Sequence, residues 1–188
     1  YFCAMFADTK YTLFLDDDLL IGHRFVEACY QAAETVDDKF STISGIGRST
    51  HRNKAWRRDN SQQRIKMLKR NVKRLEVQRG IDVTCRGHFF HSTSIGSAVK
   101  YYQIAKKQGL GKSVLRNDDM FLSLGTQLDT GFKSYMTGRL DNAAETSMNI
   151  KELPSPFACS GNDDHRSSRN SVVKFFLEQG WKPLRYKE

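Results

Sequence analysis

The chain has 188 residues, of which 39% are hydrophobic and 27% are charged, as in a globular protein with one core. No apolar run reaches the roughly 20 residues of a membrane-spanning helix, and no signal-peptide pattern opens the sequence. The four cysteines are widely separated and form no CxxC pair, so they are predicted to be buried free thiols. The predicted free cysteines and the lack of an N-x-S/T sequon together favour a reducing, cytoplasmic compartment.

The net charge of +9 is concentrated in one segment. Between Arg48 and Arg79, twelve Lys or Arg residues accompany only two acids, and the rest of the chain is close to neutral. Such a segment is typical of a protein with a polyanionic partner, a phosphate-bearing substrate or a membrane surface to bind. A solvated basic face explains it equally well.

The apolar run Tyr11–Leu15 predicts a buried strand that ends directly at Asp16, Asp17 and Asp18. Apolar residues at helical spacing predict a helix over Gly22–Ala33. The other predicted elements are helices at Phe2–Ala7, Ser61–Arg79, Ile95–Lys107, Asn117–Leu124 and Ser167–Gln179, strands at Phe40–Ile46 and Ile81–Thr84, and loops at Gly138–Asn149 and Pro154–Pro156. This alternation of strands and helices predicts a single α/β domain over residues 1–188.

The three adjacent carboxylates at the end of the first strand are the main candidate for a metal site. Side chains alternate along an extended chain, so Asp16 and Asp18 point to one side and Asp17 to the other. Two carboxylates on one side suit Mg²⁺ or Mn²⁺, which prefer oxygen ligands and often share them with substrate phosphates. Open α/β sheets also bind ligands beyond the carboxyl ends of their strands. The alternative is an exposed acidic turn or a helix N-cap.

The segment YTLFLDDDLLIGHRF resembles the DXD segment of GT-A-type glycosyltransferases, in the nucleotide-diphospho-sugar transferase superfamily. The resemblance implies a Rossmann-related mixed sheet flanked by helices. It also implies a Mn²⁺ or Mg²⁺ ion that bridges the phosphates of a nucleotide-sugar donor, and a glycan or protein hydroxyl as acceptor. Asp16 and Asp18 would then hold the cation, and Asp17 and Arg48 are further candidates for contacts to the donor.

Two later segments extend the resemblance. Asn117-Asp118-Asp119-Met120-Phe121-Leu122-Ser123 resembles the family's acid motif at a helix start. Asp119 matches the second acid and is the candidate general base, with Asp118 beside it. The alternative is an acidic helix N-terminus that only complements the macrodipole. Near the C-terminus, the resemblance makes His165 a candidate third metal ligand, although a surface histidine is as good an explanation, and Arg166 or Arg169 a candidate contact to the diphosphate.

Cysteine and histidines at spacings of three occur in the segment Cys85–His91. A zinc site is disfavoured, because Cys85 and His88 would point to opposite faces of a strand and no fourth ligand is near. The resemblance implies that this segment lines the acceptor pocket, with His88 or Phe89 stacking on a sugar. An ordinary strand end with core aromatics is at least as good an explanation.

Only fifteen residues precede Asp16, whereas one strand–helix–strand unit needs about 30. GT-A domains carry such units before the DXD strand to hold the nucleoside. The chain is therefore expected to be the C-terminal portion of the domain, with the nucleoside-binding part incomplete; the alternative is a nucleoside site supplied elsewhere. A metal-dependent nuclease or phosphotransferase would also explain both the acids and the basic segment. A nucleic-acid-binding protein using the helix predicted at residues 61–79 would leave the acids unexplained, so nucleic acid is not the favoured partner.

Overall fold

The computed structural model describes residues 6–16, 19–45, 47–51, 54–57, 80–111, 117–137 and 163–184, with the backbone alone for 48–51, 54–57 and 163–166. The helix predicted at Ser61–Arg79 and both predicted loops, Gly138–Asn149 and Pro154–Pro156, lie outside these ranges. Most of the helix predicted at Phe2–Ala7 does so as well.

The secondary structure of the described ranges alternates between strands and helices. In chain order the elements are β1 (Tyr11–Leu15), α1 (Phe25–Thr35), β2 (Phe40–Ser44), β3 (Gly47–His51), β4 (Lys54–Arg57), β5 (Val83–Thr84), β6 (Gly87–His91), α2 (Ile95–Lys107), α3 (Asp118–Thr130), β7 (Lys133–Met136) and α4 (Asp163–Glu178). A short 3-10 helix, Ser92–Ser94, joins β6 to α2. None of the described helices is long and apolar enough to cross a bilayer.

The main sheet is mixed and has the strand order β1-β6-β2-β7. Strand β6 is antiparallel to both β1 and β2, whereas β7 is parallel to β2. A second, antiparallel sheet has the order β4-β3-β5. The predicted α/β class, a mixed sheet with flanking helices, is therefore confirmed.

The helices cover both faces of the main sheet. On one face, Phe89 and Phe40 pack against Phe25 and neighbouring residues of α1. The next residue of β6, Phe90, points to the other face and packs against Ile95 of α2 and against α3. A third apolar cluster joins α2, α3 and α4, and its largest members are Tyr101, Phe121, Phe175, Phe176 and Trp181. This cluster fixes α4 next to α3.

Helix α3 extends six residues beyond the Leu124 predicted as its end, to Thr130. Gly125 lies within this extension at a close contact with α2, where a Cβ atom would lie 3.2 Å from the backbone oxygen of Ser97. The helix ends at Gly131, whose φ of 73° is left-handed and favours glycine. Glycine eases the close approach of α2 and α3, although its low helix propensity predicts against a helix at this position.

The orientation of α3 relative to the sheet determines which residues meet at its edge. Gln127 donates a hydrogen bond to Ser134 near the start of β7, and Ser123 Oγ lies 3.2 Å from Thr42 Oγ1 in the middle of β2. Helix α3 thus runs opposite to β2 and β7, and it begins where those strands end. Because β6 is antiparallel to β1 and β2, β1 ends at this same edge. The fold thereby brings the end of β1 and the start of α3 to one edge of the sheet.

Candidate active site

Asp16 lies directly after β1 at this edge, with an exposed side chain. Its backbone N–H donates a 2.9 Å hydrogen bond to the carbonyl oxygen of Arg86, the residue just before β6. Arg86 has a φ of 70°, a conformation that costs energy for a residue other than glycine. Asp17 and Asp18 lie outside the described residues, so within the acidic triplet only Asp16 has a described position.

The predicted acid pair opens α3 and differs in exposure. Asp118 is exposed, and its Oδ1 accepts a 3.0 Å hydrogen bond from the backbone N–H of Asp119. Asp119 is buried, and its Oδ1 accepts a 2.9 Å hydrogen bond from the N–H of Met120. Both carboxylates thus accept hydrogen bonds from N–H groups of the first helical turn, and the Met120 N–H also donates to the carbonyl oxygen of Asn117 at 3.0 Å. The acidic helix start that the sequence predicted is therefore present.

Helix α4 contributes a positively charged side chain, that of Arg169, to the start of α3. Arg169 Nη2 lies 3.0 Å from Asp119 Oδ2, and the two side chains are only 13% and 11% exposed. Next to this pair, Asn117 Nδ2 donates a 2.7 Å hydrogen bond to Ser168 Oγ. Two polar contacts, one of them between nearly buried charges, therefore hold α4 against the first turn of α3. Arg169 was one predicted contact for the diphosphate; in this structure it binds Asp119.

Strand β6 contains a buried histidine, which the sequence pattern suggested only as a zinc ligand or as a ring stacked on a sugar. His88 is 4% exposed, and its Nδ1 lies 2.7 Å from Thr84 Oγ1. Burial lowers the pKa of His88 to about 4; the Asp118 carboxylate opposes this effect and the Arg169 guanidinium adds to it. His88 is therefore a neutral imidazole at neutral pH, close enough to Asp118 and Arg169 to sense their charges.

A layer of buried hydroxyl groups connects this histidine to the sheet. Thr84 Oγ1 donates a 3.0 Å hydrogen bond to Thr42 Oγ1, which lies 2.8 Å from Ser134 Oγ. Ser123, one helical turn after Asp119, also contacts Thr84 and Thr42. Polar groups in a low-dielectric interior are stable only when they are paired. The network therefore fixes the rotation of α3, and with it the direction of Asp119, relative to the sheet.

The positions of Cys85, His88 and Phe89 bear on the zinc and sugar-stacking interpretations of the Cys85–His91 segment. Within the described ranges, no cluster of three or more His, Cys, Asp or Glu residues is arranged to hold a metal ion. Stacking of His88 or Phe89 on a sugar is wrong, because each ring is 4% exposed and has no open face. The aspartate triplet is not tested by this, since Asp17 and Asp18 lie outside the described residues.

The remaining predicted site residues have described backbone positions only. Arg48 is in β3, which pairs with β5. His165 and Arg166 are in the first turn of α4, and His165 precedes Arg169 by one helical turn. The predicted residues His165 and Arg166 therefore lie at the start of α4, the helix whose Arg169 binds Asp119 of the acid pair. The sequence pattern did not predict that His88 would be buried and in contact with Thr84; the only signal for this was the position of His88 between the small residue Gly87 and two core phenylalanines.

No protein-family model, curated protein or solved structure matches the chain. Its function must therefore be inferred from the residues at this edge of the sheet.

Proposed function

We propose that the chain is a metal-dependent glycosyltransferase of GT-A type, which transfers a sugar from a nucleotide-diphosphate sugar to a hydroxyl acceptor. The observation that supports this most is the common location of Asp16 and the pair Asp118–Asp119 at one edge of the sheet. An enzyme of this class needs a cation-binding acid for the leaving diphosphate and a second acid for the incoming hydroxyl. Asp16 is proposed for the first of these roles and Asp119 for the second.

The donor side of the proposed site is centred on Asp16. Asp16 and Asp18 would hold Mn²⁺ or Mg²⁺ through carboxylate oxygens, the ligand type that these ions prefer, with His165 as a further ligand. When bound, the cation would neutralise charge on the departing diphosphate. Asp17, Arg48 and Arg166 remain proposed contacts to the donor. The exposure of Asp16 fits this role, since a ligand shared with substrate phosphates has to be accessible.

The acceptor side of the proposed site is the first turn of α3. Asp119 is the proposed base, and its orientation is fixed by Arg169 on one oxygen and by the Met120 N–H on the other. Asp118 is exposed beside it and would bind the acceptor. A base has to come within about 2.6–3.2 Å of the hydroxyl proton that it removes. The 11% of the Asp119 side chain that stays exposed is the surface through which this would occur.

The proposal is tested by release of nucleotide from UDP- and GDP-sugars in the presence of Mn²⁺. Loss of a general base typically lowers a rate about 10²–10⁴-fold, so Asp119→Asn should lose at least two orders of magnitude. The matched control is Asp129→Asn, which makes the same change at the other end of α3, where the carboxylate contacts Lys100. Wild-type rates in both Asp119→Asn and Asp118→Asn would contradict the proposal. Metal-dependent cleavage of DNA or RNA, without nucleotide release from sugars, would favour a nuclease instead.

A further inference from the structure

Strand β1 borders the main sheet, and the backbone groups on its outer side are open. In the order β1-β6-β2-β7, strand β6 lies on one side of β1 and no described strand lies on the other. The backbones of Lys10 and Asp16, at the two ends of β1, are hydrogen-bonded to the residues that flank β6. Because the direction of bonding alternates along a strand, Tyr11, Leu13 and Leu15 direct their backbone groups outward. Leu13 and Leu15 have no hydrogen-bond partner on this outer side within the described chain.

Large apolar side chains are exposed beside this open edge. Leu15, in β1 itself, is 41% exposed. Tyr30 of α1 is 49% exposed, and its ring lies 5.8 Å from that of Tyr11 in β1. An open strand edge is a template for pairing with another strand. The exposed rings and methyl groups next to it favour a partner that continues the sheet and also covers the neighbouring surface of α1.

The sequence of β1 is complementary to a second copy of itself in one antiparallel register. When Leu13 lies opposite the partner's Leu13, Tyr11 lies opposite the partner's Leu15, so each outward N–H or C=O group meets a matching group. The same register places Lys10 opposite the partner's Asp16. Opposite charges across a strand pair are favourable, whereas like charges at the two ends of β1 would oppose the pairing. A shift of two residues shortens the overlap and, in one direction, places Asp8 opposite the partner's Asp16.

We propose that β1 is a dimerisation edge, at which two copies of the chain pair in an antiparallel manner about a two-fold axis at Leu13 and join their four-stranded sheets into one. A contact in which both copies use the same surface is the usual arrangement in homodimers. A carboxylate has two oxygens, so contact with the partner's Lys10 leaves Asp16 able to bind a cation as well. Dimerisation of this kind does not depend on the proposed transferase function.

The first test is sedimentation equilibrium, in which the mass should approach twice 21.6 kDa at high protein concentration and fall on dilution. Leu15→Pro removes an outward N–H but none of the bonds to β6, so this variant should stay folded and lose the dimer. The matched control, Leu15→Ala, keeps the N–H and should remain a dimer. A mass of 21.6 kDa in wild type up to a concentration of about 1 mM would overturn the inference, as would a dimer of unchanged affinity in Leu15→Pro.

A charge exchange tests the register. Asp16→Lys places like charges opposite each other at both ends of the strand pair and should raise the dissociation constant of the dimer about tenfold. Adding Lys10→Asp to this variant makes the charges opposite again and should restore most of the affinity. Because Lys10 also contacts Asp38, urea unfolding is used to confirm that each variant is folded. Equal dimer affinity in wild type and Asp16→Lys, or no recovery in the folded double variant, would overturn the inference.

Hydrogen exchange distinguishes a second copy from any other strand at this edge. In the dimer, the N–H groups of Leu13 and Leu15 should be protected, and dilution should remove this protection while the N–H of Asp16, which is bonded to Arg86, keeps its own. Protection of Leu13 and Leu15 that persists in a monomer would show that another segment pairs with β1, and the dimer would then be wrong.

Discussion

Acidification from pH 7 to pH 5 is expected to destabilise the folded protein through His88. Burial holds the pKa of His88 at about 4 in the folded chain, compared with an ordinary value of 6.5. Below pH 6.5 the unfolded chain therefore binds a proton at this residue, and the folded chain does not until the pH nears 4. Stability from His88 is thus fully present above pH 6.5 and is lost as the pH falls toward 4. Between pH 7 and pH 5 the difference is about 2 kcal/mol.

The assay is urea unfolding at both pH values, on wild type and on His88→Asn. The variant has no titrating group at this position but keeps a donor for Thr84, so its free energy of unfolding should depend less on pH, by the same 2 kcal/mol or so. The other histidines contribute equally to both proteins and cancel in the comparison. An identical pH dependence in wild type and variant would show that His88 is not held neutral in the fold.

Two further predictions concern the contacts that hold α3 in place. Arg169→Met leaves Asp119 without its partner in a nearly buried ion pair and should lower the free energy of unfolding by about 3 kcal/mol. The control variant, Lys174→Met, removes an exposed ion pair with Glu178 on the same helix and should lower the free energy of unfolding by less than about 0.5 kcal/mol. Phe121→Ala removes a ring packed against Phe175 and Phe176 and should lower the free energy of unfolding, measured by chemical denaturation, by about 3–5 kcal/mol. A smaller loss than in the control variant Val26→Ala, at an exposed position, would contradict the packing described.

Sequence patterns predicted the elements that have strong apolar periodicity. The strand Tyr11–Leu15 and the helix Ile95–Lys107 are confirmed with the predicted bounds, because each has a clear apolar pattern and an abrupt end. Strand β7, with the sequence KSYM, was not predicted. It is four residues long and is extended because it pairs with β2, which no local pattern reveals.

The candidate site was predicted only where its residues are adjacent in sequence. Asp118 and Asp119 are neighbours and open an apolar helix, so the acidic start of α3 could be recognised. The pairing of Asp119 with Arg169 joins residues 50 positions apart and depends on how α4 packs against α3. The state of His88 depends on the hydroxyl of Thr84 and on burial, both of which are properties of the folded chain.

The most direct test of the proposed function is calorimetric titration of UDP and GDP into the protein, with and without Mn²⁺. We expect one of the two nucleotides to bind wild type only when Mn²⁺ is present, and this binding to disappear in Asp16→Ala while the variant unfolds at the same urea concentration. Binding of neither nucleotide, or binding that is unchanged by Asp16→Ala or by removal of the metal, would contradict a diphosphate–cation site at the end of β1.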